Sequence, residues 1–71
     1  MHPLQRRFGK LLRRKRLEAD LSQEALAEEA GLHRNYVGLL ERGLRMPSIL
    51  VVQQLATALN TKMSDLLAEV E

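Results

Sequence analysis

The chain has no cysteine and no tryptophan, one phenylalanine, one tyrosine and two prolines among its 71 residues. Without cysteine there is no disulfide framework, and the isolated His2 and His33 do not make a metal site. A chain this short buries only about 60% of its unfolded surface. Lacking a covalent or metal staple, it must draw stability from well-packed helices or from a second copy of itself. Apolar runs are also scarce. The longest, Ile49 to Val52, falls far below the roughly 20 residues that cross a bilayer. The opening residues Met1 to Arg7 run into charge and lack the apolar core of a signal peptide. No Ser/His/Asp set, paired carboxylates or phosphate-cradling glycine loop is legible, so no catalytic residue, metal or cofactor is expected. These absences predict one soluble, cytoplasmic, non-enzymatic domain over residues 1–71.

What is present is charge, unevenly spread. The net charge is only +2, yet Arg6, Arg7, Lys10, Arg13, Arg14, Lys15 and Arg16 fall in the first sixteen positions with no acid among them. Glu18, Asp20, Glu24, Glu28 and Glu29 follow at once. Such asymmetry points to a partner of high negative charge, nucleic acid or an anionic membrane surface, or else to a solvated basic face.

No strand-like alternation appears, and the apolar spacing predicts an all-α protein of five helices. The first runs from Pro3 or Leu4 to Ala19, with Phe8, Leu12, Arg16 and Ala19 inward and Leu11 and Leu17 off the stripe. The second opens on Ser22 as N-cap and stops at Gly31, with Leu26, Ala27 and Ala30 inside. The third begins near His33 and ends at Arg42 before Gly43, anchored by Val37 and Leu40. Gly38 contradicts it locally, at a cost of about 1 kcal/mol relative to alanine, and such contradictions often mark close approach by another body. The fourth starts after Ser48, with Ile49, Val52, Leu55, Ala56 and Leu59 inward. The fifth spans about Met63 to Val70.

Two helices joined by a short glycine turn form the unit that sets a helix into the DNA major groove. Between residues 22 and 42 its demands are met: small Ala27 at the crossing, Gly31 in the turn, and Leu32, Val37 and Leu40 as the lock. The segments Ser22-Gln23-Glu24-Ala25-Leu26-Ala27, Gly31-Leu32, Tyr36-Val37, Leu40-Glu41-Arg42-Gly43 and Pro47-Ser48 resemble the lambda repressor/Cro-type (xenobiotic-response-element, XRE) helix-turn-helix family of transcriptional regulators. Among its members of this length, the chain resembles the restriction–modification controller proteins. The resemblance covers about Phe8 to Leu67. It implies a lambda-repressor-like five-helix DNA-binding domain whose third helix, about 33–42, reads the duplex. It also implies a structural ion pair at Arg16 and Glu41. Gly38, Leu39 and Lys62 depart from the family pattern, and Lys62, where a small capping residue is usual, predicts an irregular start to helix five.

With Val37 and Leu40 inward, helical periodicity leaves Arg34, Asn35, Gly38 and Leu39 outside. Arginine pairs with guanine O6 and N7, asparagine with adenine N6 and N7, and Leu39 suits a thymine methyl, which makes Arg34, Asn35 and Leu39 the base-reading candidates. The reading set against it is ordinary solvated side chains on an exposed helix. Gln23, His33, Tyr36, Arg42 and Arg45 are candidates for the DNA backbone; for His33 the alternative is a helix cap, and for Tyr36 simple packing. Of the basic first helix, Arg6, Lys10, Arg13 and Arg14 are weaker candidates.

Apolar residues outside the stripes, Leu50, Val51, Met63, Leu66 and Val70, predict a homodimer interface, with recognition helices about 34 Å apart. The expected partners are double-stranded DNA and a second copy, with no membrane and no small-molecule effector. The expected location is the bacterial or phage nucleoid. Two alternatives remain at this level. One is an antitoxin-like or adaptor module on the same fold; the other is a membrane-surface helix at residues 4–17.

Overall fold

The computed structural model describes residues 2–70. Its helices are α1 (Pro3–Glu18), α2 (Gln23–Ala30), α3 (Arg34–Glu41), α4 (Ile49–Ala58) and α5 (Met63–Ala68), with no strand among the described residues. Local chemistry fixes most of these boundaries. Ser22 and Ser48 cap α2 and α4, their hydroxyls accepting the N–H groups of Ala25 and Val51 at 3.0 and 3.1 Å. His2 accepts from the N–H of Leu4 while Gln5 accepts from the N–H of His2, closing a capping box ahead of Pro3. α5 begins at Met63, and its N-cap Lys62 makes no side-chain capping bond.

The C-termini of α1 to α4 share one solution. A left-handed residue (Asp20, Gly31, Gly43 and Asn60) follows each helix. The next N–H then reaches back five residues: Leu21 to Arg16, Leu32 to Ala27, Leu44 to Leu39 and Thr61 to Ala56. This is the pattern that satisfies the last carbonyls of a helix. Glycine takes it at no steric cost; Asp20 and Asn60 accept it because short polar side chains tolerate that region.

Each helix sends at least one fully enclosed side chain to the centre: Leu12, Leu26, Val37 and Leu40, Leu55, and Leu66. α3 packs on α1 and α2, α2 also on α4, and α4 on α5. Three assignments of inner and outer faces change. Leu11 is buried, because the inner face of α1 is broad enough to take it beside Phe8 and Leu12. Ala19 is exposed, since it is the C-cap and lies beyond the packed turns. Ile49 is exposed in the first turn of α4, where side chains lean toward the helix N-terminus and past the end of the core.

α5 ends at Ala68, and its exit is pinned to α1. The Glu69 carboxylate meets Lys15 Nζ and Arg14 Nη2, both at 2.8 Å. The bond from Lys15 and the two positive charges hold its carboxyl below the usual 4.5. No helix among the described residues is long and apolar enough to cross a membrane.

Candidate nucleic-acid interface

The α2–turn–α3 unit is held by apolar contacts on one side and by a buried polar cluster on the other. Ala27 is small enough to let α2 approach α3, and Gly31, at φ 72°, turns the chain between them. Val37 and Leu40 are fully enclosed, while Leu32 packs at the core edge. Across the helices, Arg16 of α1 grips Glu41 of α3 in a fork, Nε to Oε2 at 2.7 Å and Nη2 to Oε1 at 3.0 Å. Its remaining Nη1 donates to the Leu21 carbonyl at 2.8 Å. The two side chains are only 10% and 3% exposed. Every buried polar side-chain atom among the described residues has a partner. The bond to Glu41 raises the Arg16 pKa further, so the guanidinium stays charged.

Glu41 Oε1 also accepts from Gln23 Nε2 at 3.1 Å. The Gln23 side chain therefore lies across α3 beside Gly38, its Oε1 3.5 Å from where a Cβ would stand on that glycine. That is ordinary van der Waals contact, so no part of the fold presses on Gly38. The glycine that is pressed lies elsewhere. A Cβ on Gly9 would come within 2.5 and 2.6 Å of the Leu40 and Glu41 carbonyl oxygens, where α1 crosses the end of α3.

On the outer side of α3, His33, Arg34 and Asn35 are exposed in and just before the first turn. His33 caps the helix, its Nδ1 accepting the Asn35 N–H at 3.1 Å. With Nδ1 as acceptor, the neutral ring carries its proton on Nε2, so capping leaves one outward donor. Gly38 and Leu39 are half-buried; Leu39 is thus less open than its position on the helix suggested. Tyr36 is half-buried and packs against the core. Arg42 is exposed beyond the C-terminal end, with Nε donating to the Gly38 carbonyl at 3.3 Å, and Arg45 is exposed in the following loop. Together Gln23, Arg34, Asn35, Gly38, Leu39 and Arg42 line one open trough. Away from this trough, Arg14 is engaged with Glu69 and Glu18.

The helix-turn-helix sequence pattern matches residues 12–66. The chain belongs to the helix-turn-helix family. Within it, the chain is 41% identical over 61 residues to control protein C.BamHI of Bacillus amyloliquefaciens, covering 84% of this chain and 75% of that one. It is 33% identical over 72 residues to control protein C.MunI of a Mycoplasma species, covering 100% and 97%. The crystal structure of the restriction–modification controller protein C.AhdI from Aeromonas hydrophila superposes with a TM-score of 0.85 at 45% identity, covering 87% of this chain and 94% of that one.

One part of the expected dimer surface does not survive. Leu66 is 0% exposed, because α5 turns it into the centre against the other helices. Val51, Met63 and Val70 are partly buried against the same core, and Leu50 alone of the five stands clear, at 65% exposed. The open apolar surface of this helix-turn-helix protein instead includes Met46, Ile49, Leu50 and Leu67, partly around a groove between α1, α4 and α5. Sequence reading also missed Gly9 and the ion pair that Arg34 Nη1 makes with Glu24 Oε2 at 2.6 Å. A glycine inside a long helix is itself a signal that could have found the first. The second depends on a contact between residues ten apart on different helices.

Proposed function

We infer that the chain is a sequence-specific DNA-binding transcriptional regulator that takes operator half-sites as a homodimer, with α3 in the major groove. The observation that carries this is an outer side of α3 exposed at Arg34 and Asn35 in its first turn while its inner face is locked by Val37, Leu40 and the Arg16–Glu41 fork. Family membership and the likeness to control proteins support the same reading. Arg34 is assigned to guanine, Asn35 to adenine and Leu39 to a thymine methyl. Gln23, Arg42, Arg45, the free Nε2–H of His33 and the hydroxyl of Tyr36 are assigned to phosphates, which position the protein without reading sequence. Leu50, together with the exposed Met46, Ile49 and Leu67, is assigned to the second copy. The protein then acts by occupancy, without a chemical step and without a cofactor, in the bacterial or phage nucleoid.

Selection of bound sites from a random duplex pool, followed by footprinting, tests the reading directly. A two-fold related consensus is expected, bound with a steep inverse dependence on salt as counterions are released. On that consensus Arg34→Ala is expected to relax preference at a defined base pair by about 1–3 kcal/mol. Arg45→Ala is expected to weaken all duplexes alike. Equal loss across all sequences for both variants refutes the assignment of roles.

A further inference from the structure

The arginine assigned to guanine already has a partner of its own. Arg34 Nη1 donates to Glu24 Oε2 at 2.6 Å, tying the first turn of α3 to the first turn of α2. The side chains are 64% and 67% exposed. An exposed pair of this kind contributes little to folding. Glu24 also lies beside Gln23, on the rim that faces the duplex in the proposed reading, where a carboxylate is repelled by every phosphate that approaches.

Such a group weakens binding to all DNA alike unless something is gained at the right sequence. The geometry supplies that gain. Guanidinium carries five N–H donors in a rigid fork, and Glu24 takes one of them at Nη1. Donors at Nη2 and Nε remain for the paired acceptors of guanine. Holding the side chain in advance removes part of the entropy loss that a free arginine suffers on docking. At a site without guanine, the ion pair presents phosphates with a neutralised arginine instead of a free cation.

We propose that Glu24 is a specificity-determining residue, holding Arg34 in position for guanine and lowering affinity for every sequence that lacks it there. This rests on the reading that α3 enters the major groove. It goes beyond that reading by assigning discrimination to an acid on α2 that touches the reading arginine rather than to α3 alone.

The test uses the full chain and two variants, Glu24→Gln and Glu24→Ala, on three duplexes. These are the consensus selected by wild type, the same duplex with the Arg34-dependent base pair replaced, and a random duplex. Binding is measured at two or more salt concentrations, with thermal melting to establish that each variant is folded. Both variants are expected to bind the random duplex more tightly while their ratio of consensus to replaced-pair affinity falls on the order of tenfold, the scale of one well-read base pair. Adding Arg34→Ala to Glu24→Gln should then remove little further discrimination at that pair. If both variants tighten on all three duplexes by the same factor, Glu24 acts as bulk charge and the proposal is wrong while the DNA-binding reading stands. A wild-type chain with no sequence preference overturns both.

Discussion

Replacing Gly9 by alanine sets two effects of known sign against each other. In the middle of α1 the change should help, since alanine is favoured over glycine in a helix interior by about 1 kcal/mol. The tertiary term opposes it. The new Cβ would stand 2.5 Å from the Leu40 oxygen, 2.6 Å from the Glu41 oxygen and 2.9 Å from the Glu41 carbonyl carbon. All three are backbone atoms at the end of a helix, so no rotamer change relieves them. α1 and α3 must separate, and overpacking of this kind costs about 1–3 kcal/mol or more. Separation also strains the Arg16–Glu41 fork, which spans the same two helices. Because only backbone can give way, the upper part of that cost applies, and after the helix-propensity gain we expect net destabilisation of about 1–2 kcal/mol, which in a domain of this size lowers Tm by roughly 4–16 °C. Gly38→Ala is the matched control: the same helix-propensity gain with a nearest contact at 3.5 Å to a flexible side chain. It should raise stability by up to about 1 kcal/mol. Urea titration followed by circular dichroism gives both numbers. Gly9→Ala as stable as wild type, or equal shifts for the two glycines, refutes the argument from close approach.

Three further outcomes follow from particular contacts. Glu41→Gln leaves the Arg16 charge enclosed without its carboxylate, and should cost about 3–5 kcal/mol in a denaturant titration. Lys62→Ser gives α5 the capping oxygen it lacks and removes a cation from the positive end of the helix, so a gain of about 0.5–1 kcal/mol is expected in the same assay. Leu50→Glu places a charge on a side chain 65% exposed, so the monomer should keep its helical spectrum while sedimentation shows loss of the dimer. Loss of helicity together with dissociation refutes Leu50 as an interface residue.

The parts of the fold legible in the sequence were those whose chemistry is local. Ser22, Gly31, Gly43 and Ser48 mark boundaries because a cap or a left-handed turn involves only residues within a few positions. Asp20 and Asn60 perform the same turn, but their types are common elsewhere and give no comparable signal. Inward and outward faces were harder, because a helical wheel gives the angle of a side chain and not the reach of its neighbours. Leu11 and Leu66 were drawn into the core by helices far away in sequence, while Ile49 was left beyond them. Within the candidate site the frame was readable. The contacts of its polar side chains were not: Gln23 to Glu41 and Arg34 to Glu24 join residues on separate elements, and no spacing rule connects them.

The bond from Gln23 to Glu41 bears on how a unit this small holds α3 at a fixed angle. Apolar packing is non-directional, so Val37 and Leu40 alone resist withdrawal of α3 better than its rotation. The Glu41 carboxylate adds direction. It takes a two-pronged bond from α1 and a third from the N-terminal turn of α2, while the same arginine holds the carbonyl of Leu21 in the turn between those helices. Three helices thus meet at one charged cluster with fixed angles. Gln23, assigned to a phosphate, uses one amide hydrogen on Glu41 and keeps the other. Gln23 is therefore bonded to the helix that carries Arg34 and Asn35. A shift of α2 against α3 would break that bond, so an enclosed ion pair of small net stabilising value still fixes how the two helices sit against each other.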